Sequence, residues 1–118
     1  MGIFSKPITF HATANGHTET FDGLVDTGAM FTVAPSSVLR RLGVMPLQTI
    51  PVRFADGRTE QWQLGQVEVQ LEGKRLPILC FFGPENTPVL IGAHTLEAFL
   101  FIVDPIEKKL VPKEALLM

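Results

Sequence analysis

The sequence predicts an all-β, barrel-like domain with two short helical insertions. Three observations carry that expectation. Apolar and polar residues alternate over short runs, as at Ile8, Phe10, Ala12 and Ala14 or at Val67, Val69 and Leu71, the period of a half-buried strand. Turn pairs punctuate those runs at Asn15-Gly16, Asp56-Gly57 and Glu72-Gly73. Each offers the positive φ or the local side-chain hydrogen bond that a chain reversal needs. Helical periodicity is confined to two brief stretches, so the chain lacks the alternation of strands with long helices that builds a parallel α/β sheet.

The elements follow in order. A strand through residues 8–14 turns at Asn15-Gly16 and returns over 18–25 to end at Asp26. Beyond the bend at Asp26-Thr27-Gly28, residues 30–33 read as a further strand. Pro35 and Ser36 open a helix with Val38, Leu39 and Leu42 on one face and Gly43 as its stop. Segments 52–54 and 61–64 flank the Asp56-Gly57 turn, and 66–71 pairs through Glu72-Gly73 with 76–82. Cys80 is expected to pack in that return strand as a small hydrophobe. Residues 88–91 form a short apolar strand closed by Gly92, 95–99 a helical turn, and 101–103 an extended segment up to Asp104-Pro105. Leu110-Val111-Pro112 and the apolar Leu116-Leu117-Met118 follow.

Composition bounds the function. The 118 residues make one expected domain, residues 1–118, able to bury roughly two-thirds of the unfolded surface. With 46% hydrophobic and 19% charged residues the chain is globular, not disordered. Its apolar runs fall well short of the roughly 20 residues that cross a bilayer, so no membrane partner is expected. The first residues, Met1 to Pro7, show no signal-peptide pattern, and Lys6 stands where myristoylation wants a hydroxyl. A single cysteine forms no internal disulfide, which fits a reducing, cytoplasmic setting. A net charge of −2 without basic runs argues against a nucleic-acid partner. His11, His17 and His94 lack acids or cysteines at ligand spacing, so neither a metal nor another cofactor is expected.

The most informative stretch is Leu24-Val25-Asp26-Thr27-Gly28-Ala29. Two apolar residues deliver an acid to a tight turn, which predicts Asp26 inside the protein, where a carboxylate needs a pair, hydrogen bonds or a proton. Acids placed at such a cost mark reactive sites. A turn acid that merely caps the Gly28 and Ala29 amides is the structural alternative.

With Thr32-Val33, a mid-chain hairpin with a glycine at its tip, Leu90-Ile91-Gly92 and the ending from Thr95 to Pro112, this stretch resembles the retropepsin-like aspartic proteases, single-domain relatives of retroviral protease, and their small prokaryotic branch. The resemblance covers nearly the whole chain and implies a retropepsin-like closed barrel. It implies Asp26 as the catalytic carboxylate, with Thr27, Gly28 and Ala29 shaping its loop. Met30, Phe31, Pro88 and Leu90 would border substrate pockets, and Ala55, Asp56, Gly57 and Arg58 would form a flap over a bound peptide. Ile91 and Gly92 would pack behind the loop. Met30 and Ala93 stand where retroviral members carry an acid and an arginine, His94 stands where Asn or Asp is common, and the flap tip is polar.

Hydrolysis of this kind uses two carboxylates sharing one proton. Only one Asp-Thr-Gly exists here, and Asp22, Asp56 and Asp104 lack its context. The mechanism therefore requires a homodimer, with Asp26 of each copy on a twofold axis, acting on a peptide or protein substrate. The alternative is a catalytically weak or inactive module that keeps the fold for peptide binding or dimerisation. Phosphoryl transfer through an aspartyl-phosphate fits poorly, because that chemistry sits on parallel α/β sheets.

Overall fold

The computed structural model describes residues 2–117. β1 (Gly2–His11) and β2 (Thr18–Asp26) form an antiparallel hairpin in which Ile8 is paired with Phe21 and Phe10 with Glu19. β3 (Thr32–Pro35) leads into α1 (Ser36–Arg41), which Gly43 ends with a φ of +79°. β4 (Pro46–Arg53), the long β5 (Thr59–Leu71) and β6 (Lys74–Gly83) make an antiparallel meander. The two-residue β7 (Leu90–Ile91) runs into α2 (Ala93–Ala98), and β8 (Phe101–Asp104) pairs with β9 (Lys109–Pro112) as a separate ribbon.

The main sheet has the order β1-β2-β7-β3-β6-β5-β4, and β1 also pairs with the far half of β5, from Ile8 opposite Leu71 to His11 opposite Glu68. That extra pairing closes the strands into a ring, which removes open edges from the barrel. β4 stays outside the ring as an arm on β5. Inside lie Ile8, Phe10, Val25, Leu39, Val69, Leu71, Cys80, Ile91 and Phe99, all essentially without exposure. Under the arm a second cluster, Val33, Leu64 and Phe81, gathers Phe31, Ile50, Val52, Trp62, Leu79 and Leu90.

Cys80 is fully buried as expected, and burial pushes its thiol well above the usual range. Several boundaries differ from the sequence reading. The first strand stops at His11, and the reversal spans residues 12–17, closed by the Ala12 amide on the His17 carbonyl at 2.8 Å. Residues 61–64 and 66–71 are one strand, because it passes Gly65 without a break. A Cβ there would lie 2.9 Å from Val44 Cγ1 and 3.0 Å from the Met45 carbonyl oxygen. The third strand begins at Thr32 instead of residue 30, and the second helix begins at Ala93 instead of 95. His17 is exposed, but His11 is half-buried, with Nε2 enclosed and without a hydrogen-bond partner among the described residues. Among the described residues no helix is long and apolar enough to cross a membrane.

Candidate active site

Asp26 ends β2, which lies parallel to β7 with Leu24 opposite Leu90 and Val25 opposite Ile91. The apolar lead-in residues are thereby fixed in the barrel wall, and the acid emerges from it. The carboxylate Oδ1 accepts the Gly28 amide at 2.9 Å, while the Asp26 carbonyl accepts the Ala29 amide at 3.2 Å. Asp26 is half-buried, not enclosed as the sequence suggested, because residues 27 and 28 turn outward beside it. Burial pushes its carboxyl up, and hydrogen bonds to the charged form, the Gly28 and Ala29 amides among the donors, outweigh that and hold it below the ordinary carboxylate range.

Behind the turn the chain is strapped to α2. The Ala93 amide donates to the Ala29 carbonyl and the His94 amide to the Met30 carbonyl, both at 2.8 Å. Amides left open at the start of a helix thus hold the two carbonyls that follow Gly28. Gly92 makes the approach possible: a Cβ there would sit 2.4 Å from the Phe31 carbonyl carbon and oxygen. Its own amide donates to Thr32 Oγ1 at 3.1 Å, and that hydroxyl lies 2.6 Å from Thr95 Oγ1. Thr32 and Thr95 are the buried polar side chains among the described residues, each with no exposure. Ile91 is also fully buried, so Ile91 and Gly92 stand behind the loop.

On one side of the loop a cleft of about 440 Å³ opens under the β4–β5 arm. Gly28, Ala29, Met30, Phe31 and Leu90 border it below, and Ile50, Val52, Phe54 and Trp62 above. An aromatic chain links roof to floor: Trp62 meets Phe54 and Phe81 edge-on, with centroids 5.7 and 5.6 Å apart, and Phe81 meets Phe31 at 5.4 Å. At the tip of the arm Gly57 turns with a φ of +91°. Arg58 lies over the Phe54 ring at 4.5 Å, and its guanidinium bridges Asp56 and Glu60 at 3.0 and 2.7 Å. Glu60 also accepts the Trp62 indole N–H at 2.9 Å. On the other side of the loop Thr27 and Val25 border a larger groove of about 640 Å³ with Leu96, Phe101, Ile102 and Val103.

The family model described as "gag-polyprotein putative aspartyl protease" matches residues 10–98. The chain belongs to that family. Its matched span runs from the end of β1 to the end of α2 and so contains the loop, the arm and the strap. The fold is similar to the solution structure of simian foamy virus protease, at a TM-score of 0.57 and 15% identity over 79% of this chain and 91% of that one. It is similar also to the crystal structure of the retroviral protease-like domain of Ddi1 from Leishmania major, at a TM-score of 0.60 and 18% identity over 98% and 91%. These likenesses establish the retropepsin-like fold. No curated protein matches the chain by sequence.

Of the residues expected at the site, Asp26 to Phe31 and Leu90 come together around the loop and cleft. Ala55, Asp56, Gly57 and Arg58 are at the exposed tip of the arm, not in the cleft wall. Pro88 is exposed in the connection before β7 and does not border the cleft. Sequence reasoning missed Ile50, Val52, Phe54 and Phe81 as cleft residues and left Thr32 and Thr95 without a role. Among the described residues no group of three or more His, Cys, Asp or Glu is placed to hold a metal.

Proposed function

We propose that the chain is an aspartic endopeptidase that works as a homodimer, with water activated between the Asp26 carboxylates of two copies. The observation that carries this reading is the position of the chain's sole Asp-Thr-Gly: a rigidly strapped turn bordering an apolar cleft roofed by a hairpin arm. The other three aspartates lie away from the loop and lack its Thr-Gly. Asp22 lies opposite Pro7 in the first hairpin, Asp56 pairs with Arg58, and Asp104 accepts the Ile106 and Glu107 amides at 3.0 Å. The second acid of the reaction must therefore be supplied by a second copy, and Thr27, on the opposite side of the loop from the cleft, fits that approach.

In the pair the two carboxylates cannot both ionise at close range, so one is raised from its single-chain position while the other stays charged. The charged one takes a proton from water, and the protonated one donates to the scissile carbonyl. The cleft suits an extended peptide carrying apolar side chains. Met30 at 70% exposure and the aromatic roof offer it apolar contact on both sides.

A peptide-library cleavage assay with Asp26→Asn as control tests the reading. Cleavage by the wild type and a fall of at least roughly 10³-fold in kcat for the variant are expected. Activity that survives the substitution refutes it. Peptide binding without turnover by either protein favours the binding module instead.

A further inference from the structure

We propose that Thr32 and Thr95 are positioning residues for Asp26, acting through the Gly92 amide and the strap on α2. This rests on the peptidase reading. The physical case begins with cost. Two hydroxyls buried without exposure lose their water, a cost that hydrogen bonds must offset. Here they bond each other at 2.6 Å, and Thr32 Oγ1 also accepts the Gly92 amide at 3.1 Å. A pair of valines would fill the same space without any desolvation cost, so packing alone does not explain the threonines.

What the pair does is fix three segments relative to one another. Thr32 opens β3, the strand that leaves the catalytic turn. Gly92 is the residue before α2, and Thr95 lies in the first turn of that helix. The next two amides, of Ala93 and His94, hold the Ala29 and Met30 carbonyls. A shift of Gly92 is therefore passed directly to the backbone that donates to the Asp26 carboxylate. The Gly28 amide at 2.9 Å aims one carboxylate oxygen, and reactions between held groups are sensitive to displacements of about 1 Å. Neither threonine borders the cleft or the groove beside Thr27, so substrate contact is not their role.

The consequence is a division between turnover and binding. Thr32→Val removes the hydroxyl at constant shape and leaves both the Gly92 amide and the Thr95 hydroxyl without their partner. The expected result is a fall in kcat of roughly tenfold to a hundredfold with a much smaller change in KM, since Ile50, Val52, Phe54 and Trp62 on the roof of the cleft do not touch the strap. Thr32→Ser keeps the oxygen and should restore kcat to within a few-fold. Thr95→Val, which leaves the Gly92 bond intact, should give the smaller defect of the two valine variants. Circular dichroism and urea titration accompany each variant. Should Thr32→Val fail to fold, the kcat defect of Thr95→Val, rescued by Thr95→Ser, carries the test.

An unchanged kcat in a folded valine variant, or a rise in KM alone, overturns this assignment while leaving the peptidase reading intact. The absence of Asp26-dependent cleavage by the wild type overturns both.

Discussion

Gly92→Ala probes the close approach that brings α2 against the Asp26 loop. The added methyl would meet the Phe31 carbonyl carbon and oxygen at 2.4 Å and the Thr32 nitrogen at 2.8 Å, all backbone atoms without a rotamer to yield. Ordinary contact needs about 3.5 Å, so the segments must part by roughly 1 Å. Forcing a methyl into such a site costs about 1–3 kcal/mol. The same movement stretches the bonds from Gly92, Ala93 and His94, now 3.1, 2.8 and 2.8 Å, each worth about 0.5–1.5 kcal/mol net. The sum is about 2.5–7.5 kcal/mol, a large share of a domain's total stability of about 5–15 kcal/mol. In a urea titration followed by circular dichroism the midpoint should fall on the order of 2 M at unchanged slope. Gly57→Ala is the control: nothing lies within 4 Å of its Cβ position, and its φ of +91° predicts only about 1–2 kcal/mol of backbone strain. If Gly92→Ala is no worse than Gly57→Ala, the loop is not pinned by this contact and the account of its rigidity is wrong.

Two further predictions concern charge and the cleft. Glu19, Asp56, Glu85 and Glu97 all have carboxyls held below their ordinary range: Glu19 by Arg41, Asp56 by the Arg58 amide and guanidinium, Glu85 by Ser37, Glu97 by Lys113. A depressed folded value stabilises above the unfolded value, about 4, and is lost as pH falls through the folded one; urea midpoints should therefore hold from about pH 5 to 7 and drop below about pH 4, and a midpoint that rises on acidification contradicts these pairings. Trp62 is the one tryptophan in a chain without tyrosine, so its emission at 295 nm excitation, roughly the indole edge, should shift to the blue when an apolar peptide fills the cleft beneath it; an emission unmoved by saturating peptide places the substrate elsewhere.

How much of this was legible in the sequence depended on whether the signal was local. The hairpin signals worked where alternation met a turn residue, as at Val67, Val69 and Leu71 before Glu72-Gly73, because the inward residues all face one core. The acid's turn was legible for the same reason: Leu24-Val25 belongs to a wall and Gly28 to a bend. Met30 and Phe31 misled, since apolar residues next to a strand read as more strand. They precede β3 and border the cleft, as the resemblance implied; Phe31 also packs on the cluster under the arm, and Met30 is 70% exposed. β4 was largely invisible because it lies outside the ring. Its burial is slight on both faces and Pro46 and Pro51 interrupt its pattern. Gly65 looked like a break but is where β5 passes the Val44 side chain and the Met45 carbonyl too closely for any Cβ. The bond between Thr32 and Thr95 spans 63 positions, and no local pattern announces a partner at that range.

The placement of β7 has a consequence for how the protein comes into being. Its two residues are inserted between β2 and β3, with parallel pairing to one and antiparallel pairing to the other. Contacts this distant along the chain form late, after the loop-closure entropy between them has been met. A ribosome that has released the acid has thus not yet released the segment that aims it. The turn that carries Asp26 therefore stays without its strap until the last quarter of the polypeptide, from β7 onward, has docked.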